Sequence, residues 1–113
     1  MTPAEFRKLA LAQPEAVEQE HMNHPDFRVG GRIFASLGGK GAGTGMVKLP
    51  LAMQARMLRE HPDVFEPATG AWGRGGATMV RLKAATRSIL LETLEAAWRN
   101  TAPKKLVEKH GAR

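Results

Sequence analysis

His21, His24 and Asp26 stand in an H-x2-H-x-D pattern, and imidazole with carboxylate is a donor set suited to a divalent metal. A metal needs those donors to converge, and with His21 on an extended run and His24 in a turn the reading retained is surface histidines and no metal. No serine, histidine and acid form a nucleophile arrangement, since Ser36 falls on a strand face and Ser88 at a helix start. There is no cysteine, which excludes disulfides, thiolate metal sites and a thiol nucleophile. The chain is therefore expected to be no enzyme and to use no cofactor.

The more distinctive chemistry is cationic. Seventeen Lys and Arg against eleven Asp and Glu give a formal charge of +6, a balance that favours polyanions. Arg28, Arg32, Lys40, Lys48, Arg74, Arg81 and Lys83 are the candidates for holding phosphate, and Lys104, Lys105, Lys109 and Arg113 add a basic tail. Trp72 either covers the core with Phe65 and Trp98, the reading preferred here, or offers a stacking face to a base. The glycines of 38–45 and of Gly73-x-Gly75-Gly76 fit no P-loop pattern and read as turns.

The elements that position these residues follow from local signals. Thr2-Pro3-Ala4-Glu5 is a capping box with proline at the first helical position, and Phe6, Leu9 and Ala10 follow at helical spacing, so a helix should run to about Ala12 or Gln13. Pro14 ends it, and 16–22 reads as a strand. Asn23-His24-Pro25-Asp26 is a turn cluster. Phe27 to Val29 and Arg32 to Leu37 then pair across Gly30-Gly31, which is free to adopt the positive φ angles of a tight hairpin.

Met46 to Leu49 is a further strand, reached through a glycine-rich hairpin tip bearing Lys40. Pro50 opens a helix whose apolar side is Leu51, Met53, Met57 and Leu58. A short extended piece at Val64 to Glu66, a turn-rich loop to Gly76, and a strand from Thr78 to Lys83 come next. Thr86 or Ser88 caps a long helix, and Pro103 starts a last turn or two. At 113 residues this is one domain spanning 1–113, with the basic tail from about 105. The fold class is α+β: an antiparallel sheet with its helices packed on one face and the other face exposed. With no apolar leader and no run long enough for a membrane span, a cytoplasmic protein is expected.

Strand alternation assigns the cations to faces. Ile33, Ala35 and Leu37 suit the core and leave Arg32, Phe34 and Ser36 opposite. Val47 and Leu49 turn in while Met46 and Lys48 turn out. Val80 and Leu82 turn in while Met79, Arg81 and Lys83 turn out. Arg28 joins them if Phe27 and Val29 point inward. Glu18 and Glu20 would oppose a basic face if their strand lay centrally on it.

The runs Phe27-Arg28-Val29-Gly30-Gly31-Arg32-Ile33-Phe34-Ala35, Met46-Val47-Lys48-Leu49, Trp72-Gly73-Arg74-Gly75-Gly76, Val80-Arg81-Leu82 and Ala97-Trp98-Arg99 with Ala102-Pro103-Lys104 together resemble the MmcQ/YjbR family of small bacterial proteins. The resemblance implies a frataxin- or CyaY-like two-layer sandwich with a two-winged arrangement, described as DNA-binding; it brings no catalytic residues. Ala77 stands where an aromatic is expected after the second glycine pair. The functional expectation is a DNA-binding module that grips the phosphate backbone. The alternatives are a module for an acidic protein partner and, behind it, a small-ligand or metal site.

Overall fold

The computed structural model describes residues 1–38 and 43–110, so Lys40 and half of the glycine-rich tip lie outside the described residues, as does Arg113. The first helix, α1 (Pro3–Leu11), starts at the expected capping box: the Glu5 N–H donates to Thr2 Oγ1 at 3.1 Å and the Thr2 N–H to Glu5 Oε1 at 2.9 Å. These bonds to Thr2 hold the Glu5 carboxyl below its ordinary value. Strands β1 (Val17–His21), β2 (His24–Val29), β3 (Arg32–Leu37) and β4 (Thr44–Lys48) follow as a meander, then helix α2 (Leu51–Glu60) and strand β5 (Phe65–Pro67). A short helix α3 (Ala71–Arg74), strand β6 (Ala77–Arg81), and helices α4 (Arg87–Thr101) and α5 (Lys104–Lys109) complete the chain.

All strand pairs are antiparallel and the sheet order is β1-β2-β3-β4-β6-β5, which gives the expected α+β class. The core lies between one sheet face and α1 with α4, where Phe6, Phe27, Phe34, Leu90, Leu94 and Trp98 are buried together. Trp98 is anchored by its ring N–H, which donates to the Pro14 carbonyl at 2.8 Å. Among the described residues no helix is long and apolar enough to cross a membrane. The expected tail from about 105 is partly the helix α5, whose Leu106 and Val107 rest against the core.

Gly30 and Gly31 have φ of 59° and 80°, the conformation required of a two-residue hairpin turn. Gly30 also meets Pro103, whose ring would lie 2.7 Å from a Cβ there. The preceding turn is not the expected Asn23-to-Asp26 cluster. It is Met22-Asn23, at φ 50° and 67°, while His24, Pro25 and Asp26 belong to β2. Pro25 is tolerated because β3 begins pairing with β2 only at Asp26, so its missing N–H removes no bond on that side.

The expected register of β3 is corrected by a bulge. Phe27 pairs with Ala35 and Arg28 with Ile33, so Phe34 is the extra residue. A bulge lets consecutive side chains share a face, and Phe34 and Ala35 are both fully buried. Ile33 thereby joins the reverse face, against a second cluster of Met46, Ala68, Ala77 and Met79. That face is not the open surface expected, because the α3 segment covers its centre. In α2, Leu51 is exposed and Gln54 is buried in its place; the Gln54 amide donates to the Gly73 carbonyl at 2.9 Å and to Thr78 Oγ1 at 3.1 Å. A buried amide is stable only when so paired.

Candidate nucleic-acid interface

Of the seven cations proposed from the sequence, all but Lys40 lie among the described residues, and those six do not form one surface. Arg28 stands two residues from Asp26 on β2, and alternation puts both side chains on the same face. Its Nε donates to Asp26 Oδ1 at 2.8 Å and its Nη2 to Asp26 Oδ2 at 3.0 Å. The His21 Nδ1–H donates to the same Oδ2 at 2.8 Å. Asp26 has no side-chain exposure, so its charge persists through these bonds. The Arg28 bond, followed by that of His21, holds the Asp26 carboxyl below its ordinary value against the opposing effect of burial. The Arg28 guanidinium is raised by the same contact.

Arg81 is engaged too. It donates to Glu66 Oε1 at 3.1 Å across the β5–β6 pair, and to the Pro62 and Asp63 carbonyls at 3.3 Å. Lys83 is exposed but is not on β6, since the strand ends at Arg81 and the chain coils through a tight turn, Leu82–Ala84, on its way into α4. Arg74 is exposed on α3. Glu18 and Glu20 sit on the edge strand, opposite Phe27 and Pro25, and Glu18 pairs with Arg7 at 2.9 Å, so they do not intrude on the reverse face.

Arg32 and Lys48 remain, and the fold brings them together. Both line a polar cleft of about 340 Å³ where the Gly30-Gly31 hairpin, the end of β4, α3 and the carboxyl end of α4 meet. Asn100 forms part of its wall and donates to the Lys48 carbonyl at 3.1 Å. Among the described residues neither cation has an ion-pair partner, and no carboxylate lines the cleft. The carboxyl end of α4 contributes roughly half a negative charge, so two cations leave the cleft net positive.

Trp72 forms the opposite wall. The expectation that it covers the core with Phe65 and Trp98 is corrected: it is 53% exposed, while Phe65 and Trp98 are buried. It stands on α3, over the reverse face of the sheet, because the turn into β6 is drawn close to the strands. A Cβ at Gly73 would fall 1.9 Å from the Ala68 carbonyl oxygen, and one at Gly76 would fall 2.1 Å from that of Leu49. Only glycine permits that approach, and Gly76 in addition has φ 111°.

On its other side Trp72 borders a second groove, of about 360 Å³, with Met46 and Met79 as its floor and Met22 and His24 at its far rim. Met46 and Met79 pair directly across β4 and β6. Met22, on the tip of the β1–β2 turn, is 85% exposed. The sequence reading put Met46 and Met79 on this face but expected them exposed; packed with Ala68 and Ala77 they are buried, and the groove went unseen because their pairing depends on strand order. His21 and His24 also line it; among the described residues no three His, Asp or Glu side chains gather as a metal site.

The arrangement couples two chemistries on either side of one indole: unpaired cations that can meet phosphate, and an apolar, sulfur-lined groove that can receive a flat ring. The family described as YjbR matches this chain over residues 11–100, well over half its length. A search of curated proteins finds no match.

Proposed function

We propose that this chain, which belongs to the YjbR family, is a DNA-binding module without a catalytic step, holding the phosphate backbone in the cleft between Arg32 and Lys48. The observation that carries this reading is that, among the described residues, these two cations have no ion-pair partner, share one cleft and have no carboxylate beside them. Arg28 and Arg81 are already engaged by Asp26 and Glu66, so the contact set is smaller than seven. Arg74, exposed on α3, is placed to add a peripheral contact.

The number of phosphates neutralised is measurable. Two contacts, or three with Arg74, give a log–log dependence of affinity on salt of roughly −1.4 to −2.7, whereas seven would give about −5 to −6. Titration of labelled DNA at several salt concentrations is expected to return the shallow slope, with binding lost on joint Arg32→Ala and Lys48→Ala substitution. No binding at low salt, or binding untouched by that pair, overturns the reading.

A second reading, an acidic protein partner, draws on the exposure of Met22 and Trp72 beside the same cations, since apolar anchors with a charged rim are what protein interfaces use. A pulldown that recovers one stable protein after nuclease treatment would favour it over DNA.

A further inference from the structure

We infer that the DNA received here is single-stranded, with one unpaired base laid against the Trp72 indole over the Met46–Met79 floor and the adjoining phosphate in the Arg32–Lys48 cleft. This rests on the phosphate-holding reading above and adds the form of the strand. A single wall residue, Trp72, serves both depressions. Its exposure leaves an indole face open beside two unpaired cations, which is the pairing that single-strand binders use: cations along the backbone and an aromatic surface for the bases.

The spacing agrees. Met46 and Lys48 are two residues apart on β4, on the same face, so their side chains rise about 6–7 Å apart. A ligand that spans them must place an apolar, flat group and an anion within one nucleotide's length. Met22 faces the groove from the far rim with a flexible, polarisable thioether that can adapt to different bases. Ser36 and His24, which also line the groove, supply hydrogen-bonding groups at its edge.

A duplex cannot use this geometry. Its bases are stacked inside the helix, so the Met46–Met79 floor would receive nothing, and Met22 and Trp72 project from the surface on which a rigid rod would rest.

The test uses the full wild-type chain at low salt with four probes: a thymidine strand of about twelve nucleotides, its duplex, an abasic strand of equal phosphate number, and the ribose equivalent. Binding is read by anisotropy and by tryptophan emission. Trp98 is only 3% exposed, so quenching by a base reports Trp72. The base-bearing strand is expected to quench emission and to bind roughly five- to hundredfold more tightly than the abasic strand, with the duplex resembling the latter.

Trp72→Ala should remove that advantage while leaving salt-sensitive binding, and Trp72→Phe should retain most of it. A duplex bound as tightly as the single strand, or an abasic strand bound equally well, overturns the stacked base but leaves the phosphate cleft standing. A ribose strand bound more tightly overturns the assignment to DNA. Absence of all binding at low salt removes both readings together.

Discussion

Arg28 and Arg32 flank the same glycine turn, yet the fold gives them opposite fates. Arg28 is clamped by a buried carboxylate and is three-quarters covered; Arg32 is exposed on the edge of a polar cleft without an acidic neighbour. Charge of one sign on one hairpin therefore does two jobs. The first arginine holds the β1–β2 end of the sheet together through Asp26 and His21, and the second remains available for an external anion. A cation's availability is set by what stands two residues away on its own strand face and across from it on the next, not by its presence in a basic run.

The sharpest way to break the contrast is to remove the clamp. Asp26→Ala leaves Arg28 part-buried without its partner and His21 without its acceptor, and is expected to cost about 3 kcal/mol of stability, the lower end for a broken buried pair because Arg28 keeps some solvent. Urea unfolding measures it; an unchanged midpoint would show that the network is ornamental. By contrast, joint Arg32→Ala and Lys48→Ala substitution should leave stability within roughly 0.5 kcal/mol, as surface changes do, while abolishing the DNA binding proposed above. If the double variant instead unfolds the protein, the two arginines are not the opposites described.

Acid gives a second handle on the clamp. Because the folded Asp26 carboxyl titrates below its unfolded value, near 3.9, its contribution is fully present above that value and is lost as pH falls through the lower folded value. The stability of the wild-type chain should therefore fall on acidification below about pH 4, and Asp26→Asn should lose less over the same interval. Equal losses in the two proteins would assign the acid sensitivity to other carboxylates. The smallest effect on binding is expected at Arg81: its pair with Glu66 is nearly half exposed on both sides, so Arg81→Ala should cost under about 1 kcal/mol of stability and, even combined with Lys83→Ala, should hardly change DNA affinity.

Much of the fold was legible in the residues because its causes are local. Thr2 and Glu5 close a capping box within one turn, Thr86 caps α4 through the Ile89 N–H at 3.2 Å, and Gly30-Gly31 can hardly be anything but a turn. The candidate site was legible only in part. Arg32, Lys48 and Trp72 stood among the residues singled out, but Arg28 and Arg81 stood beside them with equal weight, and Lys83 was carried onto a strand that ends before it. The bulge at Phe34 left no local mark, since Ile33 and Phe34 are both apolar and either could have turned inward.

What the sequence by itself determined is the elements other than α3, which read as a loop, together with the α+β class and the family, because helix caps, tight turns and alternation act over a few residues and survive without knowledge of the rest. What only the tertiary structure decided is which cations are spent and which are free. That depends on strand order, which sets Met46 against Met79 and brings Arg32, Lys48 and Trp72 around one cleft from positions far apart in the chain. It depends equally on the burial of Asp26, because a carboxylate removed from water must take the nearest donors as partners, and Arg28 is one of them.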